Sequence, residues 1–236
     1  ANCLGRWSGY PPILTFTPTD EFLEGFGVGL VGRPHGFSVD HEGNMWLTDV
    51  ALIANEMGAV VHKLNPAGEL VMTLGRPGVV GRGQETFNRP ASVAVAENGD
   101  IFVADGEGPN NRIVKFSSDG RYLAEWGSTG SGSGQFNTPH DLAIDSQGRL
   151  FVADRGNNRI QIFEPDGAFV DEWRHFGRPS GIYINRATDT LYATDSTSNS
   201  RNNPGVRRGI YIGSARSGGL DYFIPDPDLE SADQTR

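Results

Sequence analysis

The chain of 236 residues has a single cysteine, Cys3, so no internal disulfide can staple it, and cysteine usage leaves its compartment open. It has no apolar run approaching the roughly 20 residues that a membrane-crossing helix requires, so no membrane span is expected. The opening stretch, ANCLGRWSGY, lacks a charged region followed by an apolar one, and no export signal is read there. Basic residues are also few. Lys and Arg number 20 against 29 Asp and Glu, giving a net charge of −9 with no basic block long enough to track a phosphate backbone, which excludes nucleic acid as a partner.

What is plentiful is glycine, with 32 residues, beside 14 prolines and only 37% hydrophobic residues. A chain interrupted so often by turns is expected to be all-β, and its length allows one domain with a substantial core.

An internal repeat sets the architecture. GRPHGFSVDHEGNMWLTD (32–49) returns as NRPASVAVAENGDIFVADG (88–106), NTPHDLAIDSQGRLFVADR (137–155) and, more loosely, GRPSGIYINRATDTLYATDS (177–196). Each copy runs proline, alternating strand, polar turn, apolar strand, aspartate. The proline-to-aspartate interval is constant for 34 to 49, 90 to 105 and 139 to 154, and one residue longer for 179 to 195. Glycines at 43, 99 and 148 mark hairpin bends that need a positive φ. A second hairpin follows each aspartate, as in RIVKFSSDGRYLAEWG and RIQIFEPDGAFVDEW. Four antiparallel strands per unit are the signature of a β-propeller blade. We expect a partial opening blade over residues 1–32, four full blades over 33–228 and a polar tail over 229–236. A closed ring usually has at least five or six blades, so the open blade edges are expected to pair with something, a second copy of the chain being one occupant.

GFGVGLVG (25–32) contains a literal GxGxxG, but it leads through Arg33-Pro34 into a strand rather than opening a helix, so a dinucleotide site is not expected. GSTGSGSGQF (127–136) reads as a flexible inter-blade connection. His35 and His140 follow the prolines of the first and third copies, where the others have Ala91 and Ser180. The innermost strand of a blade lines the channel, so these imidazoles are aimed at a shared axial point. They either hold Zn²⁺ or a similar ion with a third ligand, or hydrogen-bond across the channel mouth. His41, His62 and His175 have no such placement and are expected on the solvated surface. The recurrent Asp49, Asp105, Asp154 and Asp195 are expected to accept turn N–H groups. Arg155 follows the aspartate in one copy only, and a cation there either holds a carboxylate bidentately or pairs with a neighbouring acid at the surface.

RPHGFSVDHEGNMWLTDVA, FNRPASVAVAENGDIFVADG, GQFNTPHDLAIDSQGRLFVADRGNNRIQIF and RRGIYIGSARSG together resemble the NHL-repeat propellers of the peptidyl-α-hydroxyglycine α-amidating lyase type, over residues 12–228. The resemblance implies a six-bladed propeller that splits a peptidyl-α-hydroxyglycine into a peptide amide and glyoxylate, with zinc held by three histidines. His35 and His140 match the first two of these, and Arg155 matches an arginine associated with the substrate. The backbone carbonyl of Phe37 falls where the family supplies a ligand to a channel Ca²⁺. An extracellular or periplasmic location is implied by the same resemblance.

The sequence also departs from the pattern. The third histidine and the acidic calcium ligand have no match. The tyrosine expected as base is replaced by Glu107, a carboxylate that serves as base or as metal ligand. Arg6 matches a further active-site arginine only across a two-residue insertion. Two rivals stand beside the lyase reading: a non-catalytic propeller that binds a peptide or protein, and a propeller hydrolase of the lactonase kind.

Overall fold

The computed structural model describes residues 10–53 and 57–227. A two-stranded sheet, β1 (Ile13–Phe16) and β2 (Phe22–Phe26), is followed by four four-stranded antiparallel sheets whose strands pair in chain order. Blade one holds β3 (Pro34–Val39), β4 (Met45–Ile53), β5 (Met57–Leu64) and β6 (Leu70–Leu74). Blade two holds β7 (Ser92–Val95), β8 (Ile101–Asp105), β9 (Arg112–Phe116) and β10 (Tyr122–Trp126). Blade three holds β11 (Pro139–Ile144), β12 (Leu150–Asp154), β13 (Arg159–Phe163) and β14 (Phe169–Trp173). Blade four holds β15 (Gly181–Asn185), β16 (Thr190–Asp195), β17 (Gly209–Ser214) and β18 (Leu220–Pro225). No helix among the described residues is long and apolar enough to cross a membrane.

The hairpin bends follow from backbone sterics. Gly43, Gly99 and Gly148 have φ of 81°, 86° and 83°, a region that costs other residues strain. Blade four has no glycine there and uses Asp189 at φ 53° instead. That carboxylate takes hydrogen bonds from Ser146 and Arg216, which anchor the unusual turn. Burial pushes the Asp189 carboxyl up, but these hydrogen bonds outweigh it and hold the pKa down at about 2.

Side chains alternate across each sheet, so one set packs against the preceding blade and the other against the next. Between blades three and four lie Phe151, Ile160, Trp173, Ile182, Leu191 and Tyr211. Phe102, Phe136, Leu142 and Phe163 fill the seam between blades two and three, and Trp46, Phe87, Val103 and Phe116 the seam between one and two. Ile13 and Val31 close blade one against the opening hairpin. The arc ends in apolar faces without cover: Leu14, Phe16 and Phe22 on the hairpin, and Tyr183, Tyr222 and Ile224 on blade four.

The recurrent aspartates do what their repetition suggests. Each sits on the second strand, at its end in blades two to four and before a register shift in blade one, and accepts backbone N–H groups from the segment entering the blade: Gly32 and Arg33 to Asp49, Asn88 to Asp105, Asn137 to Asp154, Arg178 to Asp195. In blades two and three a buried arginine extends the clamp. Arg112 donates to Asp105 and Arg159 to Asp154 through Nε, while their outer nitrogens reach carbonyls of the preceding loop.

Two expectations are corrected here. The segment 127–136 is not a flexible connection, because Arg159 holds the carbonyls of Ser131, Gly132 and Gln135, and Thr129 and Phe136 form a parallel bridge. His62 is not on the surface. It lies on the inner ladder of β5, is 5% exposed and has Nδ1 3.0 Å from Thr73 Oγ1. Burial lowers its pKa, with Asp49 pulling the other way. His41 and His175 are exposed as expected. The glycine run at 27–32 makes a turn, with Leu30 N–H donating to the Gly27 carbonyl, and enters β3 without a helix.

Replacing Arg159 by Ala strands a buried Asp154 carboxylate and three loop carbonyls, and is expected to cost about 3–5 kcal/mol in urea unfolding. Asp189 is expected to contribute stability that is present above its ordinary value of 3.8 and lost as pH falls through about 2. Acid titration of Asp189→Asn followed by circular dichroism should show that part of the slope flattened.

Candidate metal centre at the channel mouth

The first strands of the blades stand side by side around the axis, with β7 against β3 and β11 and β15 against β11. Both histidine-bearing strands lose their register at their first turn. The ladder shifts between Pro34 and Phe37 in β3 and between Pro139 and Asp141 in β11, so His35 and His140 leave the pleat. Such bulges re-aim a side chain, and here they turn both rings towards each other. The ring centroids are 4.9 Å apart at 72°.

Each ring is oriented by the blade that follows it. His35 Nδ1 is 2.9 Å from the Ala91 carbonyl, and His140 Nδ1 is 2.5 Å from the Ser180 carbonyl. A carbonyl only accepts, so Nδ1 carries a proton in both rings, and Nε2 is the nitrogen left for another partner. Ala91 and Ser180 are the residues that replace histidine in blades two and four. The alternation of residue types therefore supplies both the rings and their acceptors. Gly36 makes the approach possible, since a Cβ there would lie 2.4 Å from the Ala91 carbonyl.

Glu107 enters from the loop after β8. A Cβ at Gly106 would lie 2.0 Å from the Pro139 carbonyl, so glycine lets this loop press on blade three. Glu107 Oε1 then lies 3.4 Å from His140 Nε2 and 2.8 Å from Arg155 Nη2. Arg155 opens a short 3-10 turn, Arg155–Asn157, directly after β12. Its own carbonyl receives Arg178 Nη1 at 2.6 Å. Burial, and then the nearby Arg155 charge, lower the Arg178 pKa.

One ligand atom each from His35, Glu107 and His140 lies within 4.8 Å of the others. Burial, then the charges of Arg155 and His35, push His140 down to about 4, against the Ser180 carbonyl and Glu107. The ring is therefore neutral at pH 7 and able to donate through Nε2. Two imidazoles, each hydrogen-bonded through Nδ1 to a carbonyl, and a carboxylate form a donor set that fits Zn²⁺.

Of the residues singled out in the sequence, His35, His140, Glu107 and Arg155 come together at this mouth. Phe37, two residues further along β3, lines an axial cavity of about 540 Å³ with Asp141 and Tyr183. Arg6 lies outside the described residues. Two residues escaped sequence reasoning. Arg178 had a faint signal, an arginine before the repeat proline, shared with Arg33 and Arg89, but only contact with Arg155 sets it apart. Asp141 had none: it accepts Ser92 Oγ at 2.6 Å and the Ile182 N–H at 2.7 Å, tying blades two, three and four together beneath the imidazoles.

Residues 87–116 and 136–163 match the NHL repeat family. Over 106 residues, 44% of this chain and 28% of the relative, the sequence is 42% identical to a probable peptidyl-alpha-hydroxyglycine alpha-amidating lyase of Caenorhabditis elegans. NHL repeat-containing protein 3 of Homo sapiens is 40% identical over 120 residues, 48% of this chain and 34% of that protein. The chain thus matches about a third or less of the length of these relatives. A gluconolactonase of Xanthomonas campestris superposes with a TM-score of 0.63 over 94% of this chain and 70% of its own, at 18% identity, a likeness of fold alone. The chain carries NHL repeats folded as β-propeller blades, and over the matched stretch it is homologous to the peptidyl-alpha-hydroxyglycine alpha-amidating lyases.

Proposed function

We propose that the chain belongs to a metal-dependent lyase that splits a peptidyl-α-hydroxyglycine, or a similar small carboxylate-bearing substrate, into an amide and glyoxylate. The observation that carries this reading is the pair of imidazoles from alternate blades, 4.9 Å apart and each held through Nδ1 by a carbonyl, with the Arg155 guanidinium beside them. His35 and His140 hold the ion. Bound there, it makes the substrate hydroxyl more acidic by stabilising the alkoxide charge.

Arg155 binds the carboxylate of the substrate through its planar fork, and Arg178, on its carbonyl, keeps the arginine in place. The reaction balances without oxidant or water. The hydroxyl loses its proton, a carbonyl forms at that carbon, the C–N pair passes to the amide nitrogen, and that nitrogen takes up a proton. The homology to the amidating lyases supports this chemistry. A lactonase reading finds less support, because both oxygens of the channel carboxylate Asp141 are already engaged by Ser92, Leu142 and Ile182.

Incubation with zinc and a peptidyl-α-hydroxyglycine is expected to release glyoxylate. A folded, zinc-loaded sample releasing none above background overturns the lyase reading in favour of a binding propeller. Arg155→Ala removes a charge-assisted contact to the substrate and should lower kcat/KM about 10–100-fold, mostly through KM.

A further inference from the structure

We infer that Glu107 is a metal-binding side chain beside His35 and His140, and that Arg155 is the latch that holds Glu107 until the ion arrives. The inference rests on the metal reading above and assigns Glu107 a role other than that of a proton acceptor.

The distances argue for ligation. Two donors each about 2.0–2.1 Å from a tetrahedral ion lie about 3.3–3.4 Å apart, the edge of the tetrahedron. Glu107 Oε1 and His140 Nε2 are 3.4 Å apart, a separation too long for a strong hydrogen bond and suited to a shared ion. His35 lies within the same 4.8 Å group. A base needs room between itself and its neighbours for the substrate oxygen, whereas this carboxylate already faces a ring nitrogen at ligand spacing.

The carboxylate is also held there. Its backbone N–H donates to the Arg89 carbonyl, and Gly106 presses the loop onto the start of β11. The side chains of His140, Glu107 and Arg155 are 15%, 25% and 22% exposed, so the charges are largely withdrawn from water and compensate one another. Oε1 has one strong partner, Arg155 Nη2 at 2.8 Å. An ion that claims Oε1 frees this nitrogen, and the freed guanidinium is the group that receives the substrate carboxylate. Metal and substrate then bind in order, since the anion site opens only after the cation site fills.

The test measures Zn²⁺ affinity by competition with a chromophoric chelator on the full chain, with circular dichroism melts to show that each variant is folded. The parent is expected to bind one ion. Glu107→Gln keeps the shape and removes the charge, and should weaken binding by more than the roughly 10–100-fold that loss of an outer partner costs. Arg155→Met removes the competing latch and should tighten zinc rather than weaken it. Glyoxylate should bind the parent more tightly with zinc than without, as read by calorimetry.

The outcomes separate the two readings. Parental affinity in Glu107→Gln, with His35→Ala abolishing binding, overturns the role of Glu107 and leaves the histidine site standing. An affinity loss in Arg155→Met equal to that of Glu107→Gln overturns the latch. No zinc binding by the folded parent overturns both this inference and the metal reading beneath it.

Discussion

The recurrent carboxylate on the second strand of each blade is the contact on which the rest of the molecule depends. It receives backbone N–H groups from the segment that has just crossed over from the preceding blade, so it closes the joint where the chain passes from one sheet to the next. Buried donors without partners are costly, and these N–H groups have nowhere else to go. In blades two and three the arginine behind the carboxylate carries the constraint into the loop, which is why stretches rich in glycine run in fixed paths. With the joints closed, the apolar seams set how far each blade stands from the next.

The site is a by-product of that spacing. Neither histidine is positioned by its own blade alone, because each ring is oriented by the carbonyl of the next first strand. A bulge takes the ring out of the pleat, a neighbour fixes its tautomer, and a glycine allows the close approach. The acidic and basic partners, Glu107 and Arg155, arrive from the ends of second strands in blades two and three. Residues far apart in sequence meet because the first and second strands of successive blades deliver them to the same rim.

The fold was legible because its signals are local and repeated. Proline, alternating strand, glycine bend and aspartate recur at one spacing, and the spacing is the length of a hairpin, with Pro34 opposite Asp49 and Pro139 opposite Asp154. The two axial histidines were legible for the same reason, since one repeat position held a ring in alternate copies. What was not legible depends on three-dimensional neighbours. His62 has no histidine at the matching position of the other copies to mark it, and the sheet packing buries it. Residues 127–136 have the composition of a linker, and side chains from far along the sequence, Arg159 and Gln161 among them, give them a shape. The Arg178–Arg155 and Asp141–Ser92 pairings join different blades and leave no periodic trace.

The contact of His35 with the Ala91 carbonyl joins blades one and two, that of His140 with the Ser180 carbonyl joins three and four, and the two rings meet across the rim. Asp141, bonded to Ser92 and Ile182, draws a second, inner hoop through three of them. Two concentric hoops resist splaying much as paired bands hold barrel staves. The separation of the imidazoles is therefore a gauge of the curvature of the arc, and any strain that flattens the ring is felt first at the two nitrogens facing its centre.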